Sequence, residues 1–139
     1  MIDKQIVYSR IQEIEDSLDR LKKIGEVKEE VFVADNNLKD IASYRLLIII
    51  EASISICQHI CAREIHKAPE SYADCFSLLE KNNIITKDIS VRLQQMARFR
   101  NMLIHIYWDI DYSLVHQIIK KRMNDTKEFI SQIAKKFLG

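Results

Sequence analysis

The chain has 139 residues, enough to bury a sizeable core, and a formal net charge of +1, which by itself predicts no nucleic-acid partner. Two glycines and one proline leave little material for turns, while good helix formers abound, so the expected fold class is all-α. Two glycines also rule out a glycine-rich phosphate loop.

Taken in order, Asp3 is a plausible N-cap for a first helix ending near Ile24. Its apolar residues Ile6, Val7, Ile11, Ile14, Leu18, Leu21 and Ile24 recur at three- and four-residue steps. Residues 25–35 are charged around Val27, Val31, Phe32 and Val33, and the pattern leaves open a helical continuation or a connection. A second helix, capped by Asp35, Asn36 or Asn37, should reach roughly Lys67. Between Tyr44 and Ala62 it is apolar on nearly every side, so it must be covered all round. A small bundle covers only part of any one helix, and Ala52, Ser53 and Ser55 permit close approach, so a homodimer is expected.

Pro69 punctuates the chain before a short third helix, about Ser71 to Lys81, with Tyr72, Cys75, Phe76 and Leu79 as its stripe. Asn82 and Asn83 end it. Thr86 caps a fourth helix with Asp88 in its first turn, a placement that favours the dipole. Asp109 or Asp111 then caps a fifth, running to about Phe137. The expectation is an up-and-down bundle of about five helices forming a single domain over residues 1–139.

Three cysteines without a small secreted frame suggest free thiols in a reducing compartment. The N-terminus lacks the features of a signal peptide, and the longest uninterrupted apolar run, Leu46 to Ile50, is too short to cross a bilayer. A cytoplasmic protein without a membrane partner is expected. Charge is unevenly spread: residues 1–80 carry 10 Lys+Arg against 15 Asp+Glu, and residues 81–139 carry 11 against 5. Either a basic face or two mutually complementing helices would produce that asymmetry.

Few groups offer chemistry. Cys57 and Cys61 lie one turn apart, Cys75 elsewhere, and buried free thiols are common; with no Cys-x-x-Cys or His-Glu-x-x-His, neither metal nor cofactor is expected. His116 and Lys120-Lys121-Arg122 read most simply as a solvated face. Glu51 stands alone in the apolar second helix, so it either reaches a solvent-lit edge or faces an arginine or histidine. The dense stretch is Arg98 to Asp109. Arg100 is suited to bidentate phosphate contact, and His105 is of the side-chain type that can serve as general acid or base. At about 100° per residue the two lie about 140° apart on one helix. They converge if the arginine reaches round, if the helix loosens, or if two copies face each other. A structural ion pair and a core histidine account for the same residues.

Arg100-Asn101-Met102-Leu103-Ile104-His105-Ile106-Tyr107 has the pattern R-x-x-x-x-H-x-Y. It resembles the signature of the HepT-like toxins, a branch of the HEPN (higher eukaryote and prokaryote nucleotide-binding) superfamily. The likeness extends over roughly residues 40 to 137, through Tyr44-Arg45, Ile50-Glu51-Ala52, Tyr72-Ala73-Asp74-Cys75, Ile84-Ile85 and Trp108-Asp109-Ile110-Asp111. It implies a HEPN-like bundle of two long and several shorter helices, dimerising so that two motifs share a cleft. The implied activity is that of a metal-independent endoribonuclease, the toxin of a type VII-like toxin–antitoxin pair. Arg100 would hold the scissile phosphate and His105 would serve as general acid/base for attack by the ribose 2′-hydroxyl. Asn101 would position substrate or His105, with Glu51 in support. A cognate minimal nucleotidyltransferase antitoxin would add AMP to Tyr107. The alternative is a non-catalytic helical module that binds a nucleotide or the nucleotidyltransferase without cutting RNA.

Overall fold

The computed structural model describes residues 1–139 apart from Ile106 and the side chain of Tyr107. Among the described residues there is no strand, and seven α-helices follow one another. They are α1 (Lys4–Gly25), α2 (Glu29–Ala34), α3 (Asn36–Ile60), α4 (Tyr72–Lys81), α5 (Lys87–His105), α6 (Tyr112–Lys121) and α7 (Met123–Phe137). A π-helical turn, Cys61–Ile65, prolongs α3, and a single 3₁₀ turn, Tyr107–Asp109, follows α5.

Side-chain oxygens of Asp, Ser and Thr satisfy orphan amides at most helix starts. Asp3 accepts from Gln5, Asp35 from Leu38 and Ser71 from Asp74, and Asp111 accepts from both Ser113 and Leu114. At α5 the Thr86 hydroxyl accepts from the Ile89 amide, and Gln132 of α7 accepts from the Thr86 amide at 2.9 Å. This last bond ties the start of α5 to the end of the chain. Asn83 closes α4 at φ +59°, in the left-handed region, where asparagine is among the few tolerated residues.

The hydrophobic core forms around α3. Its residues Leu46, Ile49, Ile50, Ile54, Ile56 and Ile60 are buried on several sides, by α1 along its length and by α2, α4, α5 and α6 elsewhere. The chain thus covers more of this helix than the sequence argument allowed. Ile41 and Tyr44, at 45% and 59% exposure, are its main uncovered apolar residues. The small residues are used within the chain: Ser55 accepts from Arg10 of α1 at 3.0 Å. By window average rather than by uninterrupted run, Asn36–Ile65 is long and apolar enough to cross a membrane, yet 56% of that window is buried inside the fold. It has the profile of a core helix.

Three features of the helix boundaries have physical causes, and the last of them departs from the sequence expectation. Residues 29–34 form a separate helix because Lys28 and Asp35 are extended on either side and Phe32 is fully buried. The helical path of α3 ends at His66, whose φ of +62° cannot continue a right-handed helix. The expected fifth helix is two helices bent at Arg122, which lets α6 pack on α1 and α2 while α7 turns to α5. His116 is also not on a solvated face. It is 4% exposed, its Nε2 lies 2.7 Å from the Val27 carbonyl, and its ring packs 5.3 Å from that of Phe32. Lys120, Lys121 and Arg122 are exposed.

Ser53 is buried in α3 and its hydroxyl has no hydrogen-bond partner among the described residues. An unsatisfied buried hydroxyl costs stability, and alanine removes it while leaving only a small void. Ser53→Ala should therefore raise unfolding free energy by about 1 kcal/mol in urea denaturation. Destabilisation instead would show that the hydroxyl has a partner in solution.

Candidate functional site

Glu51 of α3 and Arg100 of α5 meet as an ion pair, with Arg100 Nε donating to Glu51 Oε1. The carboxylate in the middle of the apolar helix thereby has its cation. Tyr72, the first residue of α4, completes the group: the guanidinium carbon of Arg100 lies 4.8 Å from the ring centroid, a cation–π contact. Three helices converge on this arginine. Its side chain is 17% exposed, that of Glu51 44%, so the pair lies at the edge of the core rather than inside it.

This arrangement leaves chemical capacity. Nε is committed to Glu51, and no other hydrogen bond claims the terminal nitrogens among the described residues. They are the pair of donors that grips an oxyanion bidentately. Glu51 competes for part of that charge while holding the arginine in one place.

His105 occupies the last turn of α5 and is exposed. The helix runs without interruption through it, so the separation of about 140° from Arg100 persists. The arm of Arg100 is drawn toward α3 and α4. Of the three ways the two could converge, reaching round and early loosening are thus both unused within this chain. Asn101 is exposed beside Arg100. Ile106 and the side chain of Tyr107 lie outside the described residues.

Next to the ion pair is an open cleft of about 490 Å³, lined by Gln58, Ser71, Tyr72, Arg98 and Asn101 among others. Tyr72 both touches Arg100 and lines this cleft. Sequence reasoning placed Tyr72 on an apolar stripe and gave it no part in the site. Twenty-eight positions separate it from Arg100, and no periodicity within one helix reports such a contact.

Cys75 is not remote from the other cysteines. Cys57, Cys61 and Cys75 are fully buried, their sulfurs all lie within 4.8 Å of one another, and Sγ of Cys61 and Cys75 are 3.7 Å apart. Three thiols are donors that soft ions accept once deprotonated. Burial pushes the Cys57 thiol up, favouring its neutral form, while hydrogen bonds with Cys57 and Cys75 hold the Cys61 thiol down, at about 7. The trio packs between the end of α3 and α4.

Comparison with known proteins bears on the whole chain. The model of the family described as ribonuclease HepT-like matches residues 14–133. An mRNA nuclease HepT of Shewanella oneidensis is 30% identical over 129 residues, covering 92% of this chain and 96% of that protein. A tRNA nuclease HepT of Aphanizomenon flos-aquae is 28% identical over 134 residues, covering 95% and 90%. Among solved structures, the tri-AMPylated Shewanella oneidensis HEPN toxin in complex with MNT antitoxin superposes with a TM-score of 0.87 at 29% identity, covering 97% of this chain and 99% of that one.

The partial burial of the Arg100–Glu51 pair sets its expected energy. Exposed pairs contribute about 0–1 kcal/mol, whereas breaking a buried pair costs about 3–5 kcal/mol. A double-mutant cycle with Glu51→Ala and Arg100→Ala in urea unfolding should give a coupling of about 1–2 kcal/mol. A coupling indistinguishable from zero would mean that the pair does not persist in solution.

Proposed function

This chain belongs to the HepT-like ribonuclease family, and on that footing we propose that it is a toxin of a toxin–antitoxin pair that cleaves RNA without a metal ion. The observation that carries the reading is the state of Arg100. It is held by Glu51 and Tyr72 with its terminal nitrogens unclaimed, on a helix whose last turn presents an exposed His105. An arginine so held can bind a phosphodiester and stabilise the charge that develops on its oxygens. His105 takes the proton from a ribose 2′-hydroxyl as that oxygen attacks phosphorus. The bond to the 5′-oxygen breaks, and protonation of that leaving oxygen by an acid completes the step. The products are a 2′,3′-cyclic phosphate and a 5′-hydroxyl. Asn101, exposed beside Arg100, positions the strand or the imidazole.

The 140° between Arg100 and His105 makes the site a composite one in this reading. Two copies of α5 face each other in a homodimer, so that the arginine of one protomer works with the histidine of its partner. Ile41 and Tyr44 on α3 and Trp108 after α5 offer exposed apolar surface for such an assembly. The whole chain acts as a single domain.

Neutralisation is assigned to a cognate nucleotidyltransferase, which transfers AMP from ATP to the Tyr107 hydroxyl and releases pyrophosphate. The relative captured with its MNT antitoxin is tri-AMPylated, which supports this kind of partner. Each added phosphodiester brings negative charge two residues from His105 and excludes RNA by repulsion and bulk.

Purified protein incubated with total RNA in EDTA should generate 5′-hydroxyl ends, and His105→Ala should lose this by about 10²-fold or more with an unchanged helical circular dichroism spectrum. Cleavage that survives in His105→Ala removes the histidine from the mechanism. Absence of cleavage by the unmodified wild type, with nucleotide or antitoxin binding intact, would favour a non-catalytic binding module.

Co-expression with the nucleotidyltransferase should add AMP masses to the wild type and none to Tyr107→Phe. Equal addition to both would place the modification on another residue, with Tyr112 the nearest remaining tyrosine hydroxyl in sequence.

A further inference from the structure

The cleft beside Arg100 is not needed to hold a phosphate, and its lining is of a different chemical kind. It offers one aromatic face, Tyr72, two side-chain amides, Gln58 and Asn101, and one further cation, Arg98, alongside Glu70, Ser71 and small apolar residues. Gln58, Asn101 and Arg98 are exposed, and among the described residues none of the three has its polar atoms tied up in a hydrogen bond or ion pair. Together with Tyr72 they come from three helices, α3, α4 and α5, and meet at the same convergence that orders Arg100.

We infer that this cleft is a nucleobase subsite, which takes the base of the RNA nucleotide adjoining the phosphodiester held by Arg100. The inference rests on the ribonuclease reading above and deepens it. Tyr72 supplies the geometry, since its ring is both the wall of the cleft and the surface against which Arg100 lies. A phosphate gripped by Arg100 therefore has one of its attached nucleosides within reach of that ring. A cleft of about 490 Å³ has room for a single nucleoside. Every base has a π face, so stacking on Tyr72 provides affinity without selectivity. The side-chain amides provide the selectivity, because a side-chain amide both donates and accepts and can match the edge of an unpaired base. Single-stranded RNA is thus the form of substrate the cleft fits. A paired base presents neither a free face nor a free edge.

Wild type, Gln58→Ala and Tyr72→Leu are compared on total RNA in EDTA by mapping the 5′ ends of the products, and on single-stranded hexanucleotides of uridylate and of adenylate by steady-state kinetics. Gln58 is exposed on α3, so its truncation is not expected to disturb folding. The expected results are a flattened base preference at one position flanking the cut for Gln58→Ala, and a KM raised on the order of ten-fold or more for Tyr72→Leu. Because Tyr72 also touches Arg100, a fall in kcat with KM unchanged would assign it to arginine positioning and overturn its stacking role. An unaltered base profile in Gln58→Ala, from a wild type that cuts, overturns the subsite and leaves the ribonuclease reading standing. If the wild type does not cut, the same hexanucleotides are titrated into isotope-labelled protein. Shifts of the Gln58 and Asn101 side-chain amide resonances then sustain the subsite without catalysis, and their absence overturns it.

Discussion

One ion pair constrains how this bundle is assembled. The helix α3 is apolar on most of its surface, and a carboxylate at its centre is tolerable only where a cation or water reaches it. Arg100 reaches it from α5, and the ring of Tyr72 closes over the guanidinium from α4. A slip of α5 by one turn along α3 would separate the charges and leave the largely buried Arg100 without its partner. The pair therefore acts as a register mark between two helices whose remaining contacts are non-directional. The same requirement keeps the arginine ordered at the surface, where a mobile side chain would lose more conformational freedom on binding an anion.

How much of this was legible depends on whether the information was local. Caps were legible, since Asp3, Asp35, Thr86 and Asp111 satisfy amides two or three residues ahead and need nothing distant. The apolar stripes of α1 and α4 likewise follow from period alone. The bend at Arg122 was not legible: no glycine or proline marks it, and the apolar pattern runs through it unbroken. It exists because α6 and α7 pack against different neighbours. His116 failed for the same reason. Grouped with the basic run Lys120-Lys121-Arg122 it reads as surface, yet the carbonyl of Val27 and the ring of Phe32, both far away in sequence, give it a buried partner and a wall.

The site divides along the same line. That Glu51 wanted a cation, and that Arg100 and His105 point in different directions, were consequences of hydrophobicity and helical pitch. Tyr72 and Gln58 could not have been found that way, because a contact between three helices leaves no trace in the period of any one of them. The thiols show the converse error. Cys57 and Cys61 share a helical face, but only the packing of α4 brings Cys75 to within 3.7 Å of Cys61.

The divergence of Arg100 and His105 bears on regulation as well as on catalysis. If each half of the proposed composite site came from one protomer, a group added near His105 would hinder only that protomer's strand. With the halves exchanged across a dimer, the same group stands beside the partner's arginine, where its negative charge opposes the incoming phosphodiester. Glu51 makes that opposition effective. It already offsets part of the charge of Arg100, so in the proposed mechanism RNA would meet an arginine with part of its charge offset, and added negative charge would weaken that contact further. An unpaired arginine would bind RNA more strongly and would be correspondingly harder to silence. The carboxylate that lets α3 and α5 pack is thus also the element that sets how readily the proposed toxin can be switched off.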